Sequence, residues 1–352
     1  MLQRKKHDKQ TDALVELNNC TFVKSVLMLL VVLYHCVVFW TGTWFSCQPA
    51  NESAFLSVLA GWLNSFHIYG FALVSGYLFY YLKYEKGKYA QYIPFLKQKA
   101  KRLLVPFAFV AAVWVIPISY LFFSFDLGEF VSKYILGIAP AQLWFLLMLF
   151  GVFALFYPLS NFMKENQVLG AVAILGIYGI GLVGQTVLPN LFQAFRACMY
   201  MPIFWLGFKL RQWGSSWLNR IPALLWLLAH ILLFVLMEYL KTSSGVIFTL
   251  MRLGLDFVLH VVGALMAFAV LQKLANKINW QKSKVFGFVG KLSMPVYLLH
   301  QQIIYVCIYF LNGHLNPYIH ATVNFICAMG ISLALSALLM RFRITRVLIG
   351  EK

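Results

Sequence analysis

Apolar stretches of about 20 residues recur along the whole chain and are separated by short polar segments. A stretch of this length crosses the hydrocarbon core of a bilayer as a helix. Ten segments fit the pattern: 21–41, 54–82, 103–123, 140–160, 168–188, 192–209, 222–240, 250–272, 293–312 and 319–340. The sequence therefore predicts an all-α integral membrane protein, a bundle of about ten transmembrane helices in contact with the lipid bilayer.

Composition supports this class. Hydrophobic residues make up 61% of the chain and charged residues 11%, and the mean hydropathy is +0.76, far from the profile of a soluble protein. The net charge of +18 is spread between the apolar segments instead of forming one basic domain, so we expect no nucleic-acid partner. The cysteines form no CxxC pair and predict neither a disulfide framework nor a metal site.

The positions of Lys and Arg predict the orientation in the membrane. Most of the 29 lie in alternate loops and at both ends of the chain, which the positive-inside rule places in the cytoplasm. The exceptions are Lys133, Arg196, Lys241 and Arg252. We therefore predict cytoplasmic N- and C-termini, with a cytoplasmic N-terminal segment 1–20, a polytopic transmembrane domain 21–340 and a cytoplasmic basic tail 341–352.

Lys24 and His35 lie on the first predicted helix. Eleven residues correspond to three helical turns plus only ~20°, so both side chains share a face about 16 Å apart along the axis. Ionisable groups at membrane depth usually face the bundle interior and serve function. The alternative is that His35 only hydrogen-bonds helices together. We favour a functional His35.

Further polar side chains within the predicted helices are candidates for positioning a substrate. His67 and His300 fit a packing role as well as a functional one, and we interpret His230 as a packing residue. Arg252, Asp256 and His260 follow at intervals of four and form one polar stripe. The stripe either forms ion pairs within its own helix or faces a polar substrate that enters from outside the cell. We favour the substrate.

Lys99, Lys101 and Arg102 form a basic cluster at the start of the third predicted helix. Such a cluster usually anchors the helix to anionic lipid headgroups. It also suits the phosphates of a nucleotide-like donor, for which the Arg fork is well shaped. From these residues alone the lipid anchor is the favoured interpretation.

A set of motifs is spread along the chain: Lys24 and His35 eleven positions apart, FH at 66–67 with SGYLF at 75–79, the basic segment 99–106 ending in proline, LWFL at 143–146, and SMPVYLLH at 293–300. In this order they resemble the motifs of the acyltransferase-3 family of integral-membrane acyltransferases. Lys24 and His35 are similar to its Arg-x10-His pattern. The resemblance covers essentially the whole chain. Two positions depart from it: Lys24 stands where the family has Arg, and Ser25 where it has Gly.

The resemblance implies transfer of an acyl group, commonly acetyl, from cytoplasmic acyl-CoA to a hydroxyl of a cell-surface or lipid-linked polysaccharide. His35 would then be the general base, with an acyl-histidine intermediate as a less favoured version. Lys24, Lys101 and Arg102 would bind the phosphates of acetyl-CoA or another acyl-CoA. The positioning residues would be His67, Arg252, Asp256, His260 and His300. The implied location is a bacterial plasma (inner) membrane, beside other polysaccharide-biosynthesis proteins.

Three alternatives stay open at this point. A polysaccharide exporter or flippase component would also use a ten-helix bundle with a polar interior, although no internal repeat is evident. A structural partner in a polysaccharide synthase is a second alternative. Succinyl transfer in place of acetyl transfer is the third.

Overall fold

The computed structural model describes residues 2–44, 47–123, 126–278 and 280–351, with side chains from residue 17 on except that of residue 219. The structure is 85% helix, without a strand in those ranges, which confirms the all-α prediction. The α-helices are α1 (Leu2–Val37), α2 (Ala54–Asn64), α3 (His67–Tyr80), α4 (Tyr92–Val110), α5 (Ile116–Phe122), α6 (Leu127–Phe130), α7 (Trp144–Glu165), α8 (Gln167–Val187), α9 (Ala194–Trp213), α10 (Ser216–Arg220), α11 (Ala223–Lys241), α12 (Val246–Lys277), α13 (Lys284–Leu311), α14 (Pro317–Leu339) and α15 (Arg343–Leu348).

Short tighter or wider turns extend several of these helices. Three-residue-per-turn segments cover Val38–Thr41, Ala141–Leu143, Leu191–Gln193 and Trp280–Lys282, and π-turns cover Tyr81–Glu85, Ala111–Val115 and Val131–Ile135. Where they abut an α-helix, they lengthen it toward the span of a bilayer. The first helix also continues without a break from Leu2, through most of the predicted N-terminal segment 1–20.

Nine helices in the described ranges are long and apolar enough to cross a membrane. They coincide with nine of the ten predicted spans. The remaining prediction, 192–209, falls on α9, a helix of 20 residues that carries Arg196, Lys209 and Arg211. These charges, and not its length, separate it from the other nine. The cytoplasmic location of both termini stays a prediction.

Close backbone packing nevertheless places α9 inside the bundle, against α3. A Cβ added at Gly76 of α3 would lie 1.8 Å from the Phe204 carbonyl oxygen, and one at Gly207 of α9 would lie 1.9 Å from that of Leu73. At each glycine, the backbone of the other helix therefore occupies the space that a side chain would need. Small residues that permit such contact are typical of helix pairs in membranes.

The second predicted span, 54–82, is broken in the structure. Helix α2 ends at Asn64 and α3 begins at His67, with Phe66 between them at φ −142° and ψ −29°. The break leaves His67 at the first position of α3, completely buried. Its place in the interior is thus set by the start of a new helix.

Two predicted helices begin much earlier than their apolar patterns do. Helix α4 starts at Tyr92 and α13 at Lys284, whereas the apolar pattern predicted starts at 103 and 293. Basic residues are good helix formers, and long Lys and Arg side chains reach water from a helix end. As a result His300 lies sixteen residues into α13, near its middle.

A pair of strained turns lies beside the start of α7. Ala139 and Ala141 have φ of 52° and 47°, and Phe192 and Gln193 have 46° and 58°, in the left-handed region that non-glycine residues rarely adopt. The turns are tied together, since the Gln193 side-chain amide donates to the Gly137 carbonyl at 2.7 Å. They deliver Gln142 to the bundle interior, where it is 2% exposed.

Candidate active site

A pair of histidines joins α1 to α13 at the centre of the bundle. His35 Nδ1 lies 3.2 Å from His300 Nε2, and the two ring centroids are 4.8 Å apart. His300 is completely buried and His35 is 8% exposed. The structure thus brings together two residues that the sequence could identify only separately.

Their backbone partners determine which nitrogens carry hydrogen. His300 Nδ1 lies 2.8 Å from the Tyr297 carbonyl, and His35 Nδ1 lies 2.8 Å from the Val31 carbonyl. A carbonyl only accepts, so each Nδ1 is the donor and, in a neutral ring, each Nε2 keeps its lone pair. His35 Nδ1–H is therefore shared between Val31 and His300 Nε2. The Nε2 lone pair of His35 is left to take a proton.

His67 lies in the same layer, across the ring of Tyr34. The Tyr34 ring centroid is 4.9 Å from that of His35 and 4.8 Å from that of His67. His67 Nδ1 donates to the Leu63 carbonyl at 2.5 Å, so its Nε2 is a bare acceptor. That Nε2 is buried and has no hydrogen-bond partner among the described residues. In this tautomer His67 Nε2 can accept from a hydroxyl or an amide N–H of a substrate, and it cannot donate to a substrate carbonyl.

Side chains from the turn Ala141–Leu143 before α7 and from the π-turn between α4 and α5 hold α13 next to His300. Gln142 donates to the Leu298 carbonyl at 3.1 Å and to Gln302 Oε1 at 2.6 Å. The Trp114 indole donates to the Leu299 carbonyl at 3.0 Å, and the Tyr297 hydroxyl donates to the backbone carbonyl of Gln142. No local sequence signal indicates this buried clamp, because its partners are 155 to 185 residues apart in the chain.

A narrow cavity of about 210 Å³ leads toward the histidine layer from the end of the bundle that carries Lys24. Along α3 and the π-turn that continues it, the cavity extends from Leu82 to Ile68, which is about 20 Å at 1.5 Å per residue. Ile68 directly follows His67 in the chain, and Tyr297 in the lining is one turn before His300. The cavity therefore ends one layer of side chains from the histidines.

Positive charges line the mouth of this cavity. They are Lys24, Lys99 and Arg102, and Lys99 Nζ also lies 3.9 Å above the Phe153 ring and 3.3 Å from the Tyr89 hydroxyl. Lys24 therefore occupies the interior position that its spacing from His35 predicts. Lys101, predicted to bind the donor, is exposed and is not among the described lining residues. Lys99 lines the cavity instead. It lies three residues before Arg102, and residues three apart share a helix face.

The C-terminal tail docks against the same mouth. Ile349 is completely buried, and a Cβ added at Gly350 would lie 2.8 Å from the Arg102 carbonyl oxygen. Burial raises the pKa of the Glu351 carboxyl, while the charges of Arg102 and Lys24 act in the opposite direction. The predicted basic tail 341–352 thus brings a carboxylate close to the cations of the mouth.

The stripe of Arg252, Asp256 and His260 lines a second cavity, of about 410 Å³, at the other end of the bundle between α2, α11 and α12. His260 Nδ1 lies 3.3 Å from Asp256 Oδ2. Arg252 donates to the Thr249 hydroxyl at 3.1 Å and makes no ion pair in the part of the chain that the structure describes. The stripe therefore faces a pocket as well as bracing its own helix.

Stacked rings connect this second cavity to the bundle interior. The His260 ring stacks on Tyr69 with centroids 3.8 Å apart, and Tyr69 stacks on Tyr200 at 4.7 Å. Tyr69 follows His67 by two residues on α3.

His230, interpreted as a packing residue, is completely buried, and its Nε2 lies 3.1 Å from the Ser65 hydroxyl.

A buried histidine pair at the end of a cation-mouthed cavity is an arrangement for proton transfer next to a bound anionic molecule. Comparison with known protein families shows which class of enzyme has this arrangement. Residues 18–341 match the family model described as an acyltransferase domain, that of the acyltransferase-3 family. The chain belongs to the acyltransferase-3 family. Neither a curated protein nor a solved structure matches it.

Membership of the acyltransferase-3 family makes the chain a multi-pass membrane acyltransferase. Such an enzyme needs an acyl donor and an acceptor as well as the bilayer. In this acyltransferase-3 protein, one cavity with polar lining residues lies near each end of the bundle. The buried histidine layer lies beyond the deep end of the first cavity.

Proposed function

We propose that the protein transfers an acyl group, acetyl in the first instance, from acyl-CoA to a hydroxyl of a cell-surface or lipid-linked polysaccharide in a bacterial plasma membrane. The observation that carries the proposal is the long cavity with three cations at its mouth and two histidines beyond its deep end. Its shape suits a donor with phosphates at one end and a thioester at the other.

The mouth suits the donor's phosphates. Lys24, Lys99 and Arg102 place three cationic side chains around one opening, and charge-assisted hydrogen bonds to phosphate are among the stronger polar contacts. The remaining walls are mostly apolar, with Ser75 and Ser293 as polar exceptions. They suit the slender arm that links the phosphates to the thioester.

His35 supplies the base. Its Nε2 lone pair takes the proton from the acceptor hydroxyl as the hydroxyl oxygen attacks the thioester carbonyl, which forms the new C–O bond. The C–S bond then breaks, and the departing thiolate takes the proton back from His35. His300 Nε2 accepts from His35 Nδ1–H throughout, so it orients the ring and stabilises the transient imidazolium. No acyl-histidine is required.

The acceptor reaches the histidines from the opposite side. His67 Nε2, buried and without a partner among the described residues, is suited to accept from a sugar hydroxyl. Arg252, Asp256 and His260 offer donors and acceptors at the second cavity, where a longer glycan would bind. The His260 ring, held by stacking on Tyr69, lines this cavity and is of the kind that packs against sugar rings.

Binding of radiolabelled acetyl-CoA to the detergent-purified protein tests the donor assignment. We expect saturable binding that weakens about tenfold or more in Arg102→Gln, since a charge-assisted phosphate contact is lost. The matched control is Lys101→Gln, one residue away on the exposed face, which should bind like the wild type. Absence of binding to the wild type, or equal loss in both variants, would overturn the donor assignment.

A further inference from the structure

Aromatic rings close the deep end of the donor cavity. The Phe71 and Phe145 ring centroids are 5.9 Å apart, and those of Phe145 and Tyr297 are 6.0 Å apart. These separations lie within the range of touching aromatic pairs. The Tyr297 ring centroid is in turn 6.0 Å from that of His300. One layer of rings therefore separates the cavity from the histidine pair.

Tyr297 is the fixed member of this layer. Its hydroxyl donates to the Gln142 carbonyl, and the Gln142 side chain is itself bonded to Leu298 and Gln302. Phe71 and Phe145 have no polar group to anchor them and are held by packing alone. Movement that makes room for a donor must therefore come mainly from the two phenylalanines.

The two ends of the cavity also differ in charge. Its three cations, Lys24, Lys99 and Arg102, lie together at the mouth. Ile68 and the three rings form the deep end, with no charged side chain there among the described lining residues. A carboxylate that enters this end would lose its hydration without gaining a cation partner, which is strongly unfavourable.

We propose that Phe71, Phe145 and Tyr297 select the acyl group, admitting a short uncharged acyl chain such as acetyl and rejecting both long and carboxylated chains. The inference rests on the proposed function, because it places an acyl-CoA thioester at this end of the cavity. Each added methylene must displace a ring from a packed layer, and overpacking of this kind is destabilising. Succinyl is rejected for its charge, independently of its length.

Competition binding tests the selection without an acceptor. Acetyl-, propionyl-, hexanoyl- and succinyl-CoA are each used to displace radiolabelled acetyl-CoA from the purified protein. We expect acetyl and propionyl donors to compete at similar concentrations, and hexanoyl and succinyl donors to need about tenfold more. Phe145→Ala should bring hexanoyl-CoA to within about twofold of acetyl-CoA while succinyl-CoA stays weak.

Leu149→Ala, which enlarges the same cavity one turn from Phe145, is the matched control and should leave the ratio between donors unchanged. Phe145→Leu serves the same purpose as Phe145→Ala if the larger truncation prevents folding. Equal competition by all four donors at the wild type would overturn the selection and leave the proposed function standing. Failure of acetyl-CoA to bind at all would instead overturn the proposed function, and the selection with it.

Discussion

His300 Nε2 accepts a hydrogen bond from His35 Nδ1 across 3.2 Å, so a residue of α13 sets the orientation of the ring that α1 supplies. His300→Ala should lower kcat by up to about 100-fold, because a misplaced base transfers protons poorly. The KM for acyl-CoA should change little, since His300 is not among the described lining residues of the donor cavity.

His300→Gln is the informative partner of that variant. Its side-chain oxygen can accept from His35 Nδ1–H, so it should recover part of the lost kcat. Initial rates at several acyl-CoA concentrations separate the two parameters. A loss of kcat/KM that comes from a higher KM alone, with the same size in His300→Ala and His300→Gln, would contradict the orienting role.

The interlocked glycines of α3 and α9 are predicted to be essential for folding. Gly76→Ala or Gly207→Ala would place a methyl within 2 Å of a backbone oxygen on the other helix, so the helices must separate. We expect either variant to lose its monodisperse peak in detergent size-exclusion chromatography. Gly176→Ala, at a helix position with nothing within 4 Å, is the control and should elute normally. Normal elution of both interface variants would contradict this packing.

Arg252 is predicted to act on the acceptor and not on the donor. Arg252→Gln should raise the KM for the polysaccharide severalfold and leave acetyl-CoA binding unchanged, because the two cavities share no lining residue. Lys133→Gln is the control, since Lys133 pairs with Glu129 on the surface outside the acceptor cavity. A change in acetyl-CoA binding in Arg252→Gln would argue against separate sites.

The tail carboxylate is predicted to weaken donor binding. Glu351→Gln should tighten acetyl-CoA binding about twofold to fivefold, the range expected when one partly exposed charge is removed. Burial raises the pKa of Glu351, so in the wild type binding should also tighten as the pH falls toward that pKa and the carboxylate becomes neutral. Titration of binding between pH 4 and 8 should show this component in the wild type and not in the variant. An identical pH profile in both would contradict it.

The sequence predicted the fold class and most spans because apolar length and the distribution of charge are local signals. Helix α9 was also predicted from its apolar length, at 192–209, but it is not among the nine candidate spans; the contact of Gly207 with α3 shows its place in the bundle. The boundaries of α4 and α13 were missed because basic residues in the first three turns of each helix interrupt the apolar pattern.

For the site, helical spacing was enough to align Lys24 with His35. Spacing within one helix could not show that His300 would meet His35, since 265 positions separate them. It also could not distinguish Lys99 from Lys101 as a lining residue until the direction of α4 toward the cavity was known. The clamp around Gln142 depends on strained turns that no local pattern indicates.

The central claim is that His35 is the base of an acyl transfer. The most direct test expresses the wild type and His35→Ala in a bacterial host that carries a surface polysaccharide, at matched levels in the membrane, and follows O-acyl groups on that polysaccharide by NMR. We predict acylation with the wild type and a loss of about 100-fold or more with His35→Ala. Equal acylation by both proteins would contradict the account.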